Sequence, residues 1–289
     1  MVSTENKFIL IINCTDKEGI IASVSTFLYK RNFNILESSQ FKDTKNNQFF
    51  MRVCFTNIND FKKFRYTQLK VDFQIISKKF DMKFSFYDMS KKQKVLIMVS
   101  KFGHCLNHIL YQSKTGSLNC EIPLIVSNHN DMKEIAKPYK IKYNVITINK
   151  TNKQQQEEKL YNFIEKNKID LVVLARYMQV LSPEICKILE GKIINIHHSF
   201  LPSFKGARPY NQAFLKGVKI IGATAHYVTE KLDEGQIIEQ DVARVDHTKT
   251  LDNFVSIGRD IENLVLKNAI NWHLERRIII NENRTIVFN

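Results

Sequence analysis

The strongest constraint on the fold is the alternation of apolar runs and amphipathic segments that begins at residue 94. Near-continuous apolar runs such as KVLIMVS (94–100) and IDLVVLA (169–175) alternate with segments of helical periodicity such as NKQQQEEKLYNFIEKN (152–167). Strands that are apolar at every position are buried on both faces, which requires helices on both sides of a mostly parallel sheet. The sequence therefore predicts a Rossmann-like α/β domain over residues 94–289, with ligands beyond the carboxyl ends of its strands.

The first 84 residues predict a different, smaller domain. The predicted elements are a strand at 7–14, a helix within 15–35, strands at 35–43 and 49–56, a helix at 57–73 and a strand at 82–88. The order βαββαβ is that of a ferredoxin-like domain. Because SKKQK (90–94) is short, basic and polar, we place the first domain at 1–84 and a linker at 85–93.

Composition indicates a cytoplasmic enzyme or binding protein. The five cysteines are scattered without a Cys-x-x-Cys pair, which disfavours zinc and disulfides and suggests buried thiols in a reducing compartment. The first apolar run predicts a strand rather than a signal peptide, and no run approaches membrane-spanning length. The net charge of +14 is spread over small groups of lysines. We therefore expect neither a membrane nor a nucleic-acid partner, and a surface that favours a small polyanionic substrate.

The segment NIHHSFLPSF (195–204) is the first candidate for chemistry. Alternation along a strand places Asn195 and His197 on one face and His198 on the other, which argues against a two-histidine metal site. An Asn amide can donate to an oxyanion and a His can move protons near neutral pH, although a purely structural role remains open. In a following loop, Asp233 could assist a histidine or be an ordinary turn residue beside Gly235.

Residues 195–240 resemble the folate-dependent formyltransferase family. They contain Asn-Ile-His, a Ser-x-Leu-Pro turn, GATAHYV on a predicted strand and LDEG in a loop, in the family's order. The resemblance implies catalytic roles for Asn195, His197 and Asp233. It also implies a folate site that comprises Met178, Gln179, Val180 and Leu181 with Thr229, Glu230 and Leu232 of the loop. Asn211 and Gln236 depart from the residues that relatives often have, namely His and Pro.

The first domain resembles an ACT domain through DKEGIIASVSTFLYKRNFNI (16–35), although Glu18 stands where relatives often have Pro. This resemblance implies either an amino-acid effector site near Asp16 and Gly19 or a role in assembly alone. We expect a homo-oligomer.

Family members that join these two domains hydrolyse 10-formyltetrahydrofolate. The resemblance thus implies release of tetrahydrofolate and formate without a metal or other cofactor, which balances one-carbon pools and supplies formate for purine synthesis. The alternatives are formyl transfer to glycinamide ribonucleotide or methionyl-tRNA, and a non-catalytic amino-acid sensor. The turn VSKFGHCL (99–106) is poor in glycine, which disfavours a nucleotide phosphate. His104 and His108 would line a blocked acceptor site or lie on an ordinary helix surface.

Overall fold

The computed structural model of the chain describes residues 7–57, 66–149, 151–201 and 209–289. Contacts divide the chain into two compact units. The first comprises Met1–Lys91 with Glu275–Ile279 and Phe288–Asn289, and the second comprises Lys92–Leu274 with Ile280–Val287. Part of the predicted helix at 57–73 and Pro202 of the Ser-x-Leu-Pro turn lie outside the described residues.

The first unit is a four-stranded sheet with two helices. Its elements are β1 (Lys7–Thr15), α1 (Ile20–Tyr29), β2 (Phe33–Asp43), β3 (Gln48–Asn57), α2 (Tyr66–Phe80) and β4 (Lys83–Asp88). The strands lie in the order β2-β3-β1-β4 and every neighbouring pair is antiparallel. The βαββαβ order and this strand order agree with the predicted ferredoxin-like arrangement.

Aromatic side chains fill the core of the first unit. Phe27 of α1 meets Phe73 of α2 edge to face at 5.0 Å between ring centroids. Phe73 in turn contacts Phe86 of β4 at 5.5 Å. Edge-to-face pairs of this kind add to the free energy gained by burying the rings, so the two helices are held on the sheet.

The boundaries of the units differ from the predicted ones in two places. Strand β4 continues to Asp88, so the predicted linker at 85–93 begins inside a strand. Residues 275–279 group with the first unit, although the prediction assigned them to the second. The reason is a polar anchor, because the Arg52 guanidinium on β3 donates to the Glu275 carbonyl oxygen at 3.0 Å. Such a contact leaves no trace in hydrophobic periodicity.

The second unit is a seven-stranded sheet flanked by helices. Its strands are β5 (Gln93–Val99), β6 (Cys120–Ser127), β7 (Lys142–Val145), β8 (Leu171–Leu174), β9 (Ile193–His197), β10 (Ile220–Tyr227) and β11 (Ile237–Arg244). Its helices are α3 (His104–Thr115), α4 (Lys133–Ala136), α5 (Lys153–Asn167), α6 (Pro183–Ile188), α7 (Pro209–Leu215) and α8 (Leu251–Leu274). Near the C-terminus, β12 (Ile278–Asn281) and β13 (Arg284–Val287) form a separate two-stranded sheet.

The strand order β11-β10-β9-β8-β5-β6-β7 creates a switch point at the centre of the sheet. Strands β5 to β9 are parallel, whereas β10 and β11 are antiparallel to their neighbours. The chain runs outward from β5 through β6 and β7 and then returns to β8 on the other side. A crevice forms beyond the carboxyl ends of the strands at such a point. The mostly parallel sheet predicted for this part of the chain is confirmed.

Helix α8 is the largest element missing from the sequence prediction. It has 24 residues, and its buried residues include Phe254, Gly258, Ile261, Val265 and Ala269. Their spacing of three to four residues is that of an amphipathic helix. Within the described ranges, no helix has the length and apolar character needed to cross a membrane.

Candidate active site

A cavity of about 300 Å³ lies at the carboxyl ends of β8 and β9. Asn195 and His197 from β9, His226 from β10 and Asp233 from the β10–β11 loop line it together. The structure thus brings the three predicted catalytic residues to one place, as the alternation along β9 predicted for Asn195 and His197.

A chain of polar contacts links these four side chains. His197 Nδ1 lies 3.2 Å from Asp233 Oδ2. On the other side of the carboxylate, Asp233 Oδ1 lies 3.7 Å from His226 Nε2. His226 Nε2 is in turn 3.2 Å from Asn195 Nδ2. One carboxylate therefore faces two imidazoles, one of which fixes the Asn amide.

The backbone determines which nitrogen of His226 carries a proton. His226 Nδ1 lies 2.8 Å from the Tyr227 carbonyl oxygen, which can only accept. Nδ1 therefore carries hydrogen, and Nε2 lies within hydrogen-bond distance of the Asn195 amide, which can donate to it when Nε2 is unprotonated. This bond uses one amide N–H of Asn195 and leaves the second for a ligand.

His197 has one nitrogen free for a ligand. Its side chain is 6% exposed, and its Nδ1 faces Asp233. The Nε2 atom is buried and has no hydrogen-bond partner in the part of the chain that the structure describes. An unpaired buried polar atom is costly, so Nε2 is suited to a partner that a ligand would supply.

Local backbone geometry fixes the position of Asp233. The residue has a φ of 56°, in the left-handed region that Asp tolerates better than most residues. Gly235 follows it, and a Cβ built there would lie 1.7 Å from the Tyr227 carbonyl oxygen. Hydrogen bonding from His197, followed by the contact with His226, holds the pKa of the Asp233 carboxyl well below its ordinary range. Asp233 is thus a carboxylate at neutral pH.

His226 is the site residue that the sequence analysis missed. Strand pairing places it directly opposite Asn195 across β10 and β9. The GATAHYV motif contains this histidine, and its buried position on a strand was the available signal. The pairing of two residues that are 31 positions apart in the sequence could not be derived from either strand alone.

All seven residues of the predicted folate site line the same cavity. They are Met178, Gln179, Val180, Leu181, Thr229, Glu230 and Leu232. Three of the apolar ones remain unusually accessible: Met178 and Val180 are each 55% exposed and Leu232 is 64% exposed. A cluster of exposed apolar side chains around a cavity favours a ligand with apolar surface.

Two hydrogen bonds hold the segment that follows β8. Ser100, just after β5, accepts from the Met178 amide at 2.9 Å. At the other end, the buried Glu157 on α5 accepts from the Ser182 amide at 2.9 Å. Residues 178–181 are thus fixed by side chains from two other elements of the sheet domain, which gives the cavity a rigid wall.

His198 lies just past the end of β9, where the alternation of a strand no longer applies. Its ring is 5.4 Å from that of His197 between centroids and lines the same cavity, so the prediction that the two histidines lie on opposite faces is wrong. Its ring faces Tyr210 at 6.2 Å between centroids. Burial, followed by the charge of Arg176, lowers the pKa of His198 to about 3. His198 is therefore neutral, and its ring lines the cavity as a packing group.

The remaining singled-out residues lie elsewhere. His104, at the start of α3, has its Nε2 2.9 Å from Glu262 Oε2, whereas burial and then Lys267 lower the pKa of His108 on the same helix. Gln236 Nε2 donates to the Glu282 carbonyl oxygen at 3.1 Å, and Asn211 lines a second cavity. Asn211 and Gln236, which depart from the family pattern, therefore lie outside the polar chain that links Asn195 to His197.

The expected effector residues belong to the first unit. Gly19 adopts a φ of 85° immediately before α1, which explains the need for glycine at this turn. The Asp16 carboxylate lies 2.6 Å from Lys42 Nζ. The turn thus presents a carboxylate and an ammonium side by side.

The formyl transferase family model matches residues 93–270 of the chain. A formyltetrahydrofolate deformylase from Bacillus subtilis is 43% identical over 288 residues, which cover 99% of this chain and 95% of that protein. A crystal structure of a formyltetrahydrofolate deformylase from Pseudomonas syringae pv. tomato superposes with a TM-score of 0.94 at 40% identity, covering 100% of this chain and 96% of that one. Another from Burkholderia mallei gives a TM-score of 0.91 at 42% identity, with coverages of 98% and 100%.

Proposed function

Because the chain belongs to the formyltetrahydrofolate deformylase family, we propose that it hydrolyses 10-formyltetrahydrofolate to tetrahydrofolate and formate. The observation that carries this proposal is the meeting of Asn195, His197 and Asp233 in one cavity whose wall is apolar and accessible. Hydrolysis of a formamide needs an oxyanion donor, a positioned water and a proton for the leaving amine.

In the proposed reaction, a water oxygen bonds to the formyl carbon and the carbonyl oxygen takes up the negative charge. The free N–H of Asn195 and a proton on His197 Nε2 would donate to this oxyanion. One such donor lowers the barrier by about 3–4 kcal/mol. The C–N10 bond then breaks and one proton of the water reaches N10. The second proton is released to solvent as formate departs as an anion.

Asp233 is better suited to orienting the attacking water than to keeping the proton that the water loses. Because its pKa is held low by the two histidines, the carboxylate binds a proton weakly. It accepts a hydrogen bond from the attacking water and holds the proton of His197 at Nδ1. The Asp233 carboxylate then relays a proton of the water to N10 and does not keep it.

The lining of the cavity also supports the choice of substrate. Met178, Val180 and Leu232 offer apolar contact to a pterin ring, and Glu230 and Gln179 offer polar groups at its edge. We propose that these residues, with Leu181 and Thr229, bind the folate. No metal or other cofactor takes part in this mechanism.

Transfer to an amine is the alternative activity. The relatives that match over nearly the whole chain bear the name deformylase, and the first unit is included in that match. A non-catalytic sensor would not require the Asp233 carboxylate to lie between two histidines. These observations favour hydrolysis over both alternatives.

We further propose that the first unit is an ACT domain. Its βαββαβ order, its antiparallel sheet and the glycine turn before α1 support this assignment. The Asp16–Lys42 pair carries both charges that an amino-acid zwitterion requires, so an effector would bind at this turn. Thermal unfolding in the presence of single amino acids tests this, and no stabilisation by any of them would leave assembly as the role of the domain.

The physiological setting follows from the reaction. We propose a cytoplasmic homo-oligomer that balances one-carbon pools and supplies formate for purine synthesis, with neither nucleic acid nor membrane as a partner. The basic composition would raise the local concentration of a polyanionic folate.

The decisive experiment is turnover without an acceptor. The pure protein is incubated with 10-formyltetrahydrofolate, and tetrahydrofolate and formate are followed together. We expect equal amounts of both products over many turnovers. Turnover that requires an added amine would show a transferase and contradict the proposal.

A further inference from the structure

A second cavity of about 460 Å³ adjoins the candidate active site and has no role in the mechanism above. Arg176, Met178 and His198 line both cavities. The second cavity continues from there past Phe102 to Arg259, which is exposed on α8. It therefore extends from the reacting groups towards the protein surface.

Arg176 is the feature of this cavity that calls for a ligand. Its side chain is only 10% exposed. The Nη1 atom is buried without a hydrogen-bond partner among the described residues. Nε lies 3.4 Å from Glu262 Oε2 but lacks hydrogen-bond geometry. A buried guanidinium with unused donors is costly, and an anion would satisfy them in a bidentate manner.

The carboxylate of Glu262 does not satisfy the unused donors of Arg176. Its Oε1 accepts from the Tyr210 hydroxyl at 2.7 Å, and its Oε2 faces His104 Nε2 at 2.9 Å. Among the lining residues that the structure describes, two guanidiniums, Arg176 and Arg259, stand against this one carboxylate. This described lining therefore carries an excess of positive charge that one small anion would balance.

The backbone holds the guanidinium in place. Arg176 has a φ of 63°, a left-handed conformation that is strained for a residue with a side chain. The Arg176 carbonyl oxygen accepts from the Ser100 amide at 3.2 Å, which ties this conformation to the end of β5. Phe102 flanks both guanidiniums, with its ring centroid 5.7 Å from Arg176 Cζ and 6.0 Å from Arg259 Cζ.

A metal ion is a poor occupant of the same cluster. His104, Cys105 and Glu262 place one ligand atom each within 4.8 Å of one another. However, the Arg176 guanidinium already lies next to Glu262 and would repel a cation. Burial also raises the pKa of the Cys105 thiol, which opposes the thiolate that a metal needs.

The geometry points to a binding site for a small carboxylate in this second cavity, with Arg176 as its anchor, and to formate as the ligand. This inference rests on the proposed hydrolysis, which releases formate beside His197. Formate leaves the active site towards Arg176 and reaches solvent along the side of the cavity that Arg259 lines. Product release is thereby directed away from the part of the folate wall that lines only the first cavity, such as Leu232.

The test is binding of ¹³C-labelled formate to the full-length protein, followed by line broadening in NMR titrations. We expect saturable binding that weakens at least about tenfold in Arg176→Gln, since a charge-assisted hydrogen-bond pair is lost. Binding should also weaken in Arg259→Gln and in Val255→Phe, which fills the cavity without lining the first one. The matched control is Arg244→Gln, an exposed arginine on β11, which should bind formate like the wild type.

Two outcomes would overturn the inference. Unchanged formate binding in Arg259→Gln or Val255→Phe would place the anion outside this cavity, even if Arg176→Gln failed to fold. L-Glutamate that binds more tightly than formate, and that depends on Arg176, would instead indicate a site for the glutamate tail of the folate. Because no substrate is present, the result is independent of whether the protein hydrolyses 10-formyltetrahydrofolate.

Discussion

At the scale of single residues, Asp233 is held by its backbone as much as by its partners. The left-handed φ of Asp233 and the close approach of Gly235 to Tyr227 turn the carboxylate towards His197 and His226. Asn195 is fixed on the far side of His226 by one hydrogen bond. The site thus consists of a rigid polar chain that begins at a loop and ends on a strand.

Replacing Asp233 with Asn keeps the shape of the side chain and removes its charge. We expect kcat for hydrolysis of 10-formyltetrahydrofolate to fall at least about 100-fold, because proton transfer and the orientation of His197 are both impaired. The fold should be retained, as measured by circular dichroism. Asp241→Asn, the same change at an exposed position of β11, is the control, and an unaffected kcat in Asp233→Asn would remove this residue from the mechanism.

Gly235 and Gly217 allow a matched comparison of two glycines. A Cβ at Gly235 would collide with the Tyr227 carbonyl oxygen, whereas nothing lies within 4 Å of one at Gly217, whose φ of 61° is nevertheless left-handed. We expect Gly235→Ala to lower the free energy of unfolding by about 1–3 kcal/mol and to reduce kcat. Gly217→Ala should cost about 1–2 kcal/mol through its backbone alone and leave kcat unchanged. Equal kcat values in the two variants would contradict a role of Gly235 in placing Asp233.

At the scale of elements, the sequence predicts most of the sheets but not the way they meet. Apolar runs place β5, β6, β8 and β9, because strands buried on both faces need no polar position. The pairing of Asn195 with His226 depends on strand register, which is a long-range property. The same holds for Glu262, whose partners His104, Arg176 and Tyr210 come from three distant parts of the chain.

A glycine on α8 determines how closely α7 packs against it. A Cβ at Gly258 of α8 would lie 2.1 Å from Tyr210 Cζ, so the absence of a side chain there admits the tyrosine ring. We expect Gly258→Ala to lower the free energy of unfolding by about 1–3 kcal/mol, despite the higher helix propensity of alanine. Urea unfolding measures this change.

A double variant isolates the clash at α8. When Tyr210 is also replaced by alanine, the Gly258→Ala substitution should cost less than it does alone, since the colliding ring is gone. Ser256→Ala, at an exposed position of the same helix, should change stability by less than about 0.5 kcal/mol. Additive losses in the double variant would show that the steric contact is not the cause.

At the scale of the whole molecule, each of the two cavities of the sheet domain contains one carboxylate that is largely shielded from solvent, Asp233 in the first and Glu262 in the second. The carboxylates of Asp233 and Glu262 each hold a cluster of histidine and arginine side chains together. Both must stay ionised to do so. The stability of the protein should therefore depend on pH through these two shielded carboxylates more than through its many surface charges.

Glu262 allows this dependence to be tested. Burial alone would raise its pKa, but the hydrogen bond from His104 and the charge of Arg176 hold it below the ordinary glutamate value of 4.5. A depressed carboxyl pKa contributes stability above the unfolded value, and that contribution is lost as the pH falls through the folded value. We expect the free energy of unfolding of the wild type to decline below pH 4.5, and Glu262→Gln to show a shallower decline from a lower starting stability. Urea unfolding between pH 7 and pH 3 measures both slopes, with Glu165→Gln on the surface of α5 as the control. A Glu262→Gln slope as steep as that of the wild type would show that other carboxyl groups account for the loss of stability in acid.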